Sequence, residues 1–426
     1  MVSQKILLTS IGTRGDVEPF LAVGELLHKL GYEVSYSFPA QFSELVPNSI
    51  NHYPLSSKII ELIESKEGRL VMGKSSLWAK LKALLYLFKK GQKVNKTLVK
   101  EQLNAIQLGK PDLIIHNSKC SYPTLWGLHN KKPTILMSPV PYFLHYVKGH
   151  AHIGFNKDYG SMVNKLTYSI SNYGLAKTIF DAQDVLPQKT KYSKSLIKKT
   201  LLAKKIIFSI SPALFSRPDY WPNNAQVLGF HKRKSITITS VPDGLKDFLI
   251  TYPKAVFITF GSMVNTDPEG ISKCFFSALN ALDIPTVVNI AAGGLVRLHE
   301  YENNSNFIFI DTIPYDWIMS RVYATIHHGG SGTTHTALQH GCPTLIIPHV
   351  IDQFSWNDIV YKVGAGPKGI PIKKLPSPHI KALIYDLYHN TGYKEAAANI
   401  SNQMSSVSQK ESLIEFIEQE FPRESL

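Results

Sequence analysis

The residues best suited to chemistry lie in the stretch His327-His-Gly-Gly-Ser-Gly-Thr-Thr334. An apolar run ending at Ile326 precedes this stretch, and a helix-like pattern follows it. A turn of small residues lets backbone N–H groups approach a phosphate closely, and the positive end of the following helix points at the same anion. A histidine just ahead of the glycines adds a further hydrogen-bond donor. The stretch therefore predicts a binding site for the diphosphate of a nucleotide.

A second such turn is Gly12-Thr-Arg-Gly-Asp-Val-Glu-Pro-Phe20, which follows the first apolar run and opens a helix. This context places it at the carboxyl end of the strands, where open α/β sheets bind ligands. Asp16 has two interpretations there. It is a cap of the helix, or it is an exposed carboxylate that takes a proton from an acceptor hydroxyl. The residues alone leave both interpretations open.

Two further turns carry weaker signals. Phe260-Gly-Ser262 ends an apolar run, so its backbone N–H groups and the Ser262 hydroxyl are candidates for binding phosphate. Asp352 and Gln353 follow another apolar run, and an acid beside an amide suits the vicinal hydroxyls of a polyol. Asp352-Gln353 is equally well explained as the cap of a following helix.

Other patterns are not predicted to be sites. The segment 364–369 has the glycine spacing of a dinucleotide-binding turn, but it neither follows a clear strand nor opens a helix. His145, His150 and His152 lie close together without a nearby carboxylate or cysteine, which favours a flexible loop over a metal site. The sequence has no Asp-x-Asp pair, so we predict no metal site.

Strand-like runs alternate with helical patterns, which predicts an α/β protein with parallel, doubly wound sheets. In the first half the predicted strands are 5–9, 33–38, 113–116, 134–137 and 205–209. The pattern restarts with 255–261, 286–290, 307–310, 324–326 and 344–347. Helices are predicted for 16–30 and for the tail, 399–420.

The length of 426 residues exceeds one ordinary core, so two domains are expected. The segment 231–253 is poor in pattern and is the candidate linker. It separates an N-terminal domain, 1–230, from a second domain, 254–398, and the tail 399–426 follows as a helix.

Three cysteines far from one another indicate a reducing compartment, so we expect a cytoplasmic protein. The first apolar run is too short for a signal peptide. The net charge of +14 is typical of proteins that bind nucleic acid or anionic membranes. No nucleic-acid motif is visible.

The segment 77–100 is basic, and its apolar residues recur at helical spacing. Its apolar and basic residues are Trp78, Leu81, Leu84, Leu85, Phe88, Lys80, Lys82, Lys89 and Lys90. Either the apolar face packs on the core, or the segment makes a peripheral contact with an anionic membrane.

In these motifs and their order, the chain resembles the family 1 glycosyltransferases of the GT-B fold. It is most similar to the branch of sterol and lipid glucosyltransferases and antibiotic glycosyltransferases. Gly12-Thr-Arg-Gly-Asp-Val-Glu-Pro19 resembles the first motif of that branch. The donor-domain motifs match in order at 256–262, Asp316-Trp317, 327–334 and 348–353, and 221–229 resembles the segment before the linker.

The resemblance implies two Rossmann-like domains facing across a cleft, with the last helix returning to the first domain. It also implies inverting, metal-independent transfer of a hexose, expected to be glucose, from a nucleoside-diphosphate sugar to a hydroxyl. Asp16 is then the general base, His328 contacts the α-phosphate, and Asp352 and Gln353 bind sugar hydroxyls. The other donor-binding residues that the resemblance implies are Arg14, Gly15, Gly261, Ser262, Ile313, Gly330, Ser331, Gly332 and Thr333.

One departure from the wider superfamily concerns the nucleotide base. Plant members hold uracil under a tryptophan, where this chain has Thr312-Ile-Pro-Tyr315. Backbone around Ile313 is expected to hold the base instead, so both a UDP-sugar and a dTDP-sugar remain candidate co-substrates. No cofactor is expected.

The acceptor is expected to be lipophilic, such as a sterol, carotenoid, terpenoid or polyphenol. Pro139, Tyr142 and Phe143 lie in an aromatic-rich segment that could line its pocket or belong to ordinary core. A monomer is expected. The alternative functions are a sugar-nucleotide epimerase of the same fold and a non-catalytic nucleotide-sugar-binding protein.

Overall fold

The structure is a computed structural model that describes residues 4–65, 67, 77–155, 157–188, 190–233, 241–291, 293–406 and 409–423. The chain forms two compact units. Unit 1 comprises Met1–Pro212, Ser216–Lys234 and Ser408–Leu426, and unit 2 comprises Ala213–Phe215 and Ser235–Val407.

Unit 1 is built on a seven-stranded sheet in the order β3-β2-β1-β4-β5-β6-β7, and all its strand pairs are parallel. The strands are β1 Lys5–Thr9, β2 Glu33–Ser37, β3 Asn51–His52, β4 Leu113–His116, β5 Thr134–Ser138, β6 Ile206–Phe208 and β7 Ala225–Val227. Its helices are α1 Arg14–Lys29, α2 Lys58–Glu64, α3 Leu77–Gly109, α4 Tyr122–Asn130, α5 Ser161–Ala182 and α6 Lys194–Ala203. The central strands read as continuous apolar runs because both faces of a parallel sheet are covered by helices.

Unit 2 is built on a five-stranded parallel sheet in the order β10-β9-β8-β11-β12. Its strands are β8 Val256–Thr259, β9 Thr286–Asn289, β10 Phe307–Ile310, β11 Ala324–His327 and β12 Thr344–Ile346. Its helices are α7 Leu245–Thr251, α8 Pro268–Asn280, α9 His299–Glu302, α10 Tyr315–Met319, α11 Ser331–Gln339, α12 Asp352–Lys362, α13 His379–His389 and α14 Thr391–Ser406. The predicted α/β class with parallel sheets is confirmed.

The predicted strands agree with the observed ones to within one or two residues. The strands β3 and β7 were not predicted, since Asn51-His52 and Ala225-Gln-Val227 form no apolar run. The segment predicted as a linker contains helix α7, which starts after Gly244 (φ +72°).

The C-terminal tail is two helices rather than the single one expected. The first is α14, and the second is α15, Gln409–Glu418. The side chains of Leu413, Phe416 and Ile417 on α15 are buried in the core of unit 1. Helix α15 therefore packs with the N-terminal strands although it lies at the end of the chain.

The basic segment 77–100 belongs to helix α3. The side chains of Trp78, Lys80, Leu81, Leu84, Leu85 and Phe88 lie outside the described part of the structure. Lys82, Lys89 and Lys90 are exposed. In the described ranges, every helix is too short or too polar to cross a membrane.

Candidate functional site

The turn between β11 and α11 in unit 2 depends on Gly329. Its φ of +89° is rarely adopted by other residues, and its backbone N–H donates to His327 Nδ1 at 2.9 Å. A Cβ at this position would lie 2.5 Å from Ile346 Cγ2 on the neighbouring strand. The glycine thus allows the chain to turn sharply from the strand into α11.

Helix α11 begins without a side-chain cap. Its N-cap is Gly330, which has no side chain to cap the helix. A Cβ on Gly332 would meet nothing within 4 Å. Because the first N–H groups of a helix have no partner within the helix, the first turn over Ser331, Gly332 and Thr333 is suited to bind an anion.

His328 stands beside this helix start and is 8% exposed. A Cβ on Gly261 would lie 3.0 Å from its Cε1 atom, and one on Gly330 would lie 2.6 Å from Nε2, so the ring fits between two glycines. Its buried Nδ1 atom has no hydrogen-bond partner among the described residues. Burial, and then the neighbouring His327 and His349, lower the pKa of His328 well below its usual value. The ring is therefore neutral and has unused hydrogen-bonding capacity.

The turns after β8 and β12 flank the turn after β11. Thr259 pairs with His327 across β8 and β11, and His327 pairs with Ile346 across β11 and β12. After β8, Gly261 has a φ of +57° and its N–H donates to Thr259 Oγ1 at 3.1 Å, while Ser262 is exposed. The carboxyl edge of this sheet thus brings together the predicted phosphate-binding residues Gly261, Ser262, His328, Gly330, Ser331, Gly332 and Thr333.

Ile313, predicted to hold the base through its backbone, lies between β10 and α10. Its side chain is 5% exposed and belongs to a hydrophobic cluster. The neighbouring Tyr315 hydroxyl is 2.9 Å from Thr259 Oγ1. This contact ties the loop that carries Ile313 to the end of β8.

Gln353 supports the loop after β12. Its Oε1 atom accepts from the backbone N–H groups of His349 at 2.7 Å and Val350 at 3.1 Å. Its Nε2 atom donates to Met263 Sδ at 3.5 Å, a weak acceptor. Asp352 begins α12 directly after Ile351, whose φ is +26°. The Gln353 side-chain oxygen therefore stabilises the loop, whereas its amide nitrogen makes only a weak hydrogen bond that another acceptor could replace.

Asp16 in unit 1 caps its helix and remains partly exposed, so the structure leaves both interpretations of this residue open. Its Oδ2 atom accepts from the Thr13 backbone N–H at 2.8 Å and from the Thr13 hydroxyl at 3.3 Å, which caps α1. Its Oδ1 atom accepts from Lys119 Nζ at 2.8 Å. The Asp16 side chain is nevertheless 21% exposed. The carboxylate is fixed in orientation and still reachable from solvent.

Lys119 is the residue of this site that the sequence interpretation missed. It follows β4, which pairs with β1 through Thr9 and His116. Asn117 holds the two turns together by donating to Ser10 Oγ at 2.9 Å and to the Ile11 carbonyl at 2.8 Å. Polar residues directly after a predicted strand were the available signal, but strand order was needed to place them beside Asp16.

Gly12 makes room for the ion pair. Its φ is +137°, and a Cβ there would overlap Asp16 Oδ2 and lie 2.7 Å from Lys119 Nζ. Arg14 and Gly15 on the same turn are exposed, and Arg14 Nε pairs with Glu18 at 2.9 Å.

The predicted acceptor residues Pro139, Tyr142 and Phe143 lie in an irregular segment after β5. Tyr142 is 5% exposed and has a φ of +56°. Its ring stacks on that of His150, with centroids 4.2 Å apart.

The three histidines of this segment are packed on aromatic rings, where a flexible loop was expected. His150 stacks on Tyr142, His145 packs on Trp221, and His152 packs on Tyr168. Burial lowers the pKa of both His145 and His152 to about 4. No group of potential metal ligands is found in the residues that the structure describes.

The glycines at 364–369 have a packing role. A Cβ on Gly366 would overlap the Thr344 carbonyl, and one on Gly369 would overlap the Ile346 carbonyl. The segment runs against the backbone of β12 and opens no helix. Close backbone approach explains its glycines without a dinucleotide.

Two family models match the chain. The glycosyltransferase family 28 N-terminal domain matches residues 6–125. The erythromycin biosynthesis protein CIII-like C-terminal domain matches residues 273–418. Together the two matches extend over parts of both units.

Curated relatives include sterol 3-beta-glucosyltransferases. UGT80B1 of Arabidopsis thaliana is 26% identical over 89% of this chain and 62% of its own length. The enzyme of Komagataella phaffii is 26% identical over 94% of this chain and 33% of its own length. The chain thus spans less than two thirds of the length of these relatives.

Solved structures share the fold along the chain. The calicheamicin glycosyltransferase CalG4 matches with a TM-score of 0.71 and 14% identity, covering 100% of both chains. The glycotransferase of kitacinnamycin matches with a TM-score of 0.70 and 15% identity, covering 99% of this chain and 100% of its own. The chain thus matches glycosyltransferase domain models in both units, shares the GT-B fold of the antibiotic glycosyltransferases and is similar in sequence to the sterol glucosyltransferases.

Proposed function

We propose that the chain is an inverting, metal-independent glycosyltransferase. It moves a hexose, glucose, from a UDP-sugar or dTDP-sugar to a hydroxyl of a lipophilic small molecule. The observation that carries the proposal is the buried, neutral His328 beside the first turn of α11, which has no side-chain cap, since this pairing suits an anionic leaving group.

In this proposal, the diphosphate of the donor binds at the N-terminus of α11. Negative charge grows on it as the bond between the anomeric carbon and the phosphate oxygen breaks. The N–H groups of Ser331, Gly332 and Thr333, the helix dipole and His328 stabilise this charge. Ser262 on the adjacent turn adds a hydroxyl donor. Preorganised donors of this kind are each worth roughly 2.7–4 kcal/mol in transition states.

The acceptor half assigns Asp16 the role of general base. The acceptor oxygen bonds to the anomeric carbon, its proton passes to the Asp16 carboxylate, and the nucleoside diphosphate leaves from the opposite face. Each carboxylate oxygen has two acceptor directions. Thr13 occupies both directions of Oδ2 and Lys119 occupies one direction of Oδ1, so one direction of Oδ1 is left for the hydroxyl while the carboxylate plane is fixed.

The sugar and the base have their own candidate contacts. Asp352 accepts from sugar hydroxyls, and Gln353 donates from Nε2 after exchanging its weak contact with Met263. The backbone around Ile313 holds the base. Arg14 and Gly15 complete the donor contacts from the exposed turn after β1.

A lipophilic acceptor agrees with the sterol glucosyltransferase relatives. Pro139, Tyr142 and Phe143 line its pocket in this proposal. The protein acts in the cytoplasm as a monomer. It makes a peripheral contact with an anionic membrane, and the sequence predicts that residues 77–100 make this contact. The exposed Lys82, Lys89 and Lys90 support an electrostatic component of this contact.

The epimerase alternative needs no acceptor and is less consistent with the names of the relatives. A non-catalytic binding protein would need Asp16 only as the cap of α1, and its solvent accessibility would have no role. Neither alternative is favoured.

An acceptor screen by mass spectrometry tests the proposal. Each reaction contains UDP-glucose or dTDP-glucose and one sterol, carotenoid, terpenoid or polyphenol, and a parallel reaction contains donor alone. The expected product is the acceptor plus one hexose, formed by the wild type and nearly absent with Asp16→Asn. Isomerised donor in the donor-only reaction would identify an epimerase, and binding without any product would identify a binding protein.

A further inference from the structure

Helix α5 presents an apolar stripe to solvent. Its residues recur at helical spacing and are between 46% and 87% exposed: Met162, Val163, Leu166, Ile170 and Tyr173. These residues lie on one side of the helix, since positions three and four apart share a face. Contiguous exposed apolar surface of this kind marks an interaction site.

Over the stretch that carries the stripe, the inner face of α5 is mostly polar. Asn164, Thr167 and Asn172 are buried there, and Asn172 Nδ2 donates to the Leu144 carbonyl at 2.9 Å. A surface helix of a water-soluble protein usually has the reverse pattern, with its polar face outward. The outer stripe is therefore not explained by packing of α5 on unit 1.

Lysines border the stripe. Lys157 and Lys165 are exposed, and Lys194 of α6 reaches the Tyr173 hydroxyl with its Nζ atom at 3.3 Å. The neighbouring acids are engaged locally. Asp158 accepts from Asn164 Nδ2 at 2.7 Å, and Asp181 pairs with Lys177. The border is thus positively charged around an apolar centre.

This combination fits a lipid surface better than a second copy of the chain. A two-fold contact would bring the same lysine border of both copies together, and like charges repel. Anionic headgroups would meet the lysines with opposite charge instead. Tyr159 and Phe155, which are 46% and 38% exposed, lie just before the start of α5. Aromatic residues of this kind are enriched at membrane interfaces.

We infer that the apolar stripe of α5 rests on an anionic lipid bilayer. Met162, Leu166 and Ile170 enter the boundary between headgroups and acyl chains, and the lysine border binds the headgroups. The inference rests on the membrane contact proposed above. It assigns that contact to the stripe of α5 instead of residues 77–100. Helix α3, which carries residues 77–100, packs against α5.

Liposome flotation tests the inference with the full chain. Wild type is expected to float with vesicles of phosphatidylcholine and phosphatidylserine, weakly with phosphatidylcholine alone, and less as salt is raised. The double variant Leu166→Ser/Ile170→Ser is expected to lower the partition coefficient at least ~10-fold, because both side chains are more than half exposed and enter the lipid. The matched control is Ile250→Ser, 78% exposed on α7 of unit 2, which should float like wild type.

Charge variants separate the two candidate surfaces. Lys165→Glu is expected to weaken flotation more than Lys89→Glu on α3. The inference is overturned if the double variant floats like wild type, or if Lys89→Glu removes binding and the stripe variants do not. It is also overturned if light scattering shows a wild-type dimer that the double variant dissociates while neither floats.

Turnover with a water-soluble phenolic acceptor separates this inference from the proposed function. The double variant should keep wild-type turnover with that acceptor, since the stripe takes no part in the chemistry. Flotation without turnover on any acceptor would leave the lipid surface standing and remove the proposed activity.

Discussion

Lys119 Nζ lies 2.8 Å from Asp16 Oδ1, and this ion pair joins the turn after β4 to the turn after β1. The second oxygen of the same carboxylate is bound by the backbone of Thr13. With hydrogen bonds on both oxygens, the carboxylate plane is fixed, while the side chain stays 21% exposed. The arrangement suits a proton acceptor that is held in one orientation before its substrate binds.

Replacing Asp16 by asparagine separates its two roles. The amide oxygen of Asp16→Asn still accepts from the Thr13 N–H, so the start of α1 and the thermal midpoint should be retained. An amide does not accept the proton, so turnover should fall at least ~10²-fold while the donor KM stays nearly unchanged. Steady-state kinetics with saturating acceptor measures this. Near-normal turnover would remove Asp16 from the role of base.

Removing the lysine tests the orientation argument. Lys119→Met frees Asp16 Oδ1, and we expect kcat to fall about 10-fold because the carboxylate rotates away from its productive position. Thermal stability should change little, since Lys119 is 43% exposed and exposed ion pairs contribute little to folding. Lys119→Arg should recover part of the lost kcat.

The chain offers a matched control for this lysine. Lys132 is 41% exposed and pairs with Asp112 at the same distance of 2.8 Å, at the opposite end of the strands. Lys132→Met should leave kcat unchanged. Equal kinetic effects of Lys119→Met and Lys132→Met would contradict a specific role for Lys119.

Gly12 and Gly31 separate backbone strain from displacement of Asp16. Both have positive φ, so Gly12→Ala and Gly31→Ala should each lower the thermal midpoint. A Cβ on Gly12 would overlap Asp16 Oδ2, whereas one on Gly31 would meet nothing within 4 Å. Only Gly12→Ala should therefore reduce kcat. Parallel measurement of midpoint and kcat checks this, and a Gly12→Ala protein with wild-type kcat would refute the packing argument.

His328 should act as a neutral donor. Since its pKa lies well below the ordinary 6.5, the ring stays uncharged through the neutral range and gains a proton only in acid. Affinity for UDP-glucose, whose diphosphate is esterified at both ends and does not titrate near neutral pH, should then show no inflection near pH 6.5. His328→Ala should lower kcat/KM roughly 10²-fold and weaken UDP binding, measured by kinetics and calorimetric titration. As a control, His340→Gln alters a partly exposed histidine paired with Asp316 and should leave UDP binding unchanged.

Most of the fold could be predicted because its strands are long enough to show as apolar runs. The runs 5–9, 113–116 and 307–310 coincide with observed strands. The polar β3 and the β7 segment, which is interrupted by Gln226, give no such signal, and α7 lies in a segment of mixed pattern. Short elements are specified by tertiary packing, which a single sequence does not display.

The candidate site could be predicted only where its residues share one turn. The stretch 327–334 carries strand, turn and helix together, so its geometry follows from local pattern. The contact between Asp16 and Lys119 depends on β4 lying beside β1, which is a property of strand order. Likewise, only the packed loop after β12 shows that the Gln353 oxygen is engaged by backbone.

A buried lysine gives unit 1 a pH dependence. Lys204 is 8% exposed, with Nζ 3.0 Å from Thr124 Oγ1 and 3.1 Å from His116 Nε2. Burial lowers its pKa from 10.5 to about 7. Between these values the unfolded chain binds a proton that the folded chain does not. The free energy of unfolding should therefore rise with pH in this window, by about 1.4 kcal/mol per pH unit from this group.

Replacing this lysine should stabilise the protein at neutral pH. Lys204→Met removes the cost of burying an amine, so its thermal midpoint at pH 7 should exceed that of wild type, and the difference should shrink as the pH is raised toward 9. Above the ordinary thiol pKa of 9.0, Cys120 and Cys342 act in the opposite direction, because burial raises the pKa of each to about 12. The comparison of the two proteins between pH 7 and 9 therefore isolates the lysine. Parallel curves would mean that Lys204 stays charged in the fold.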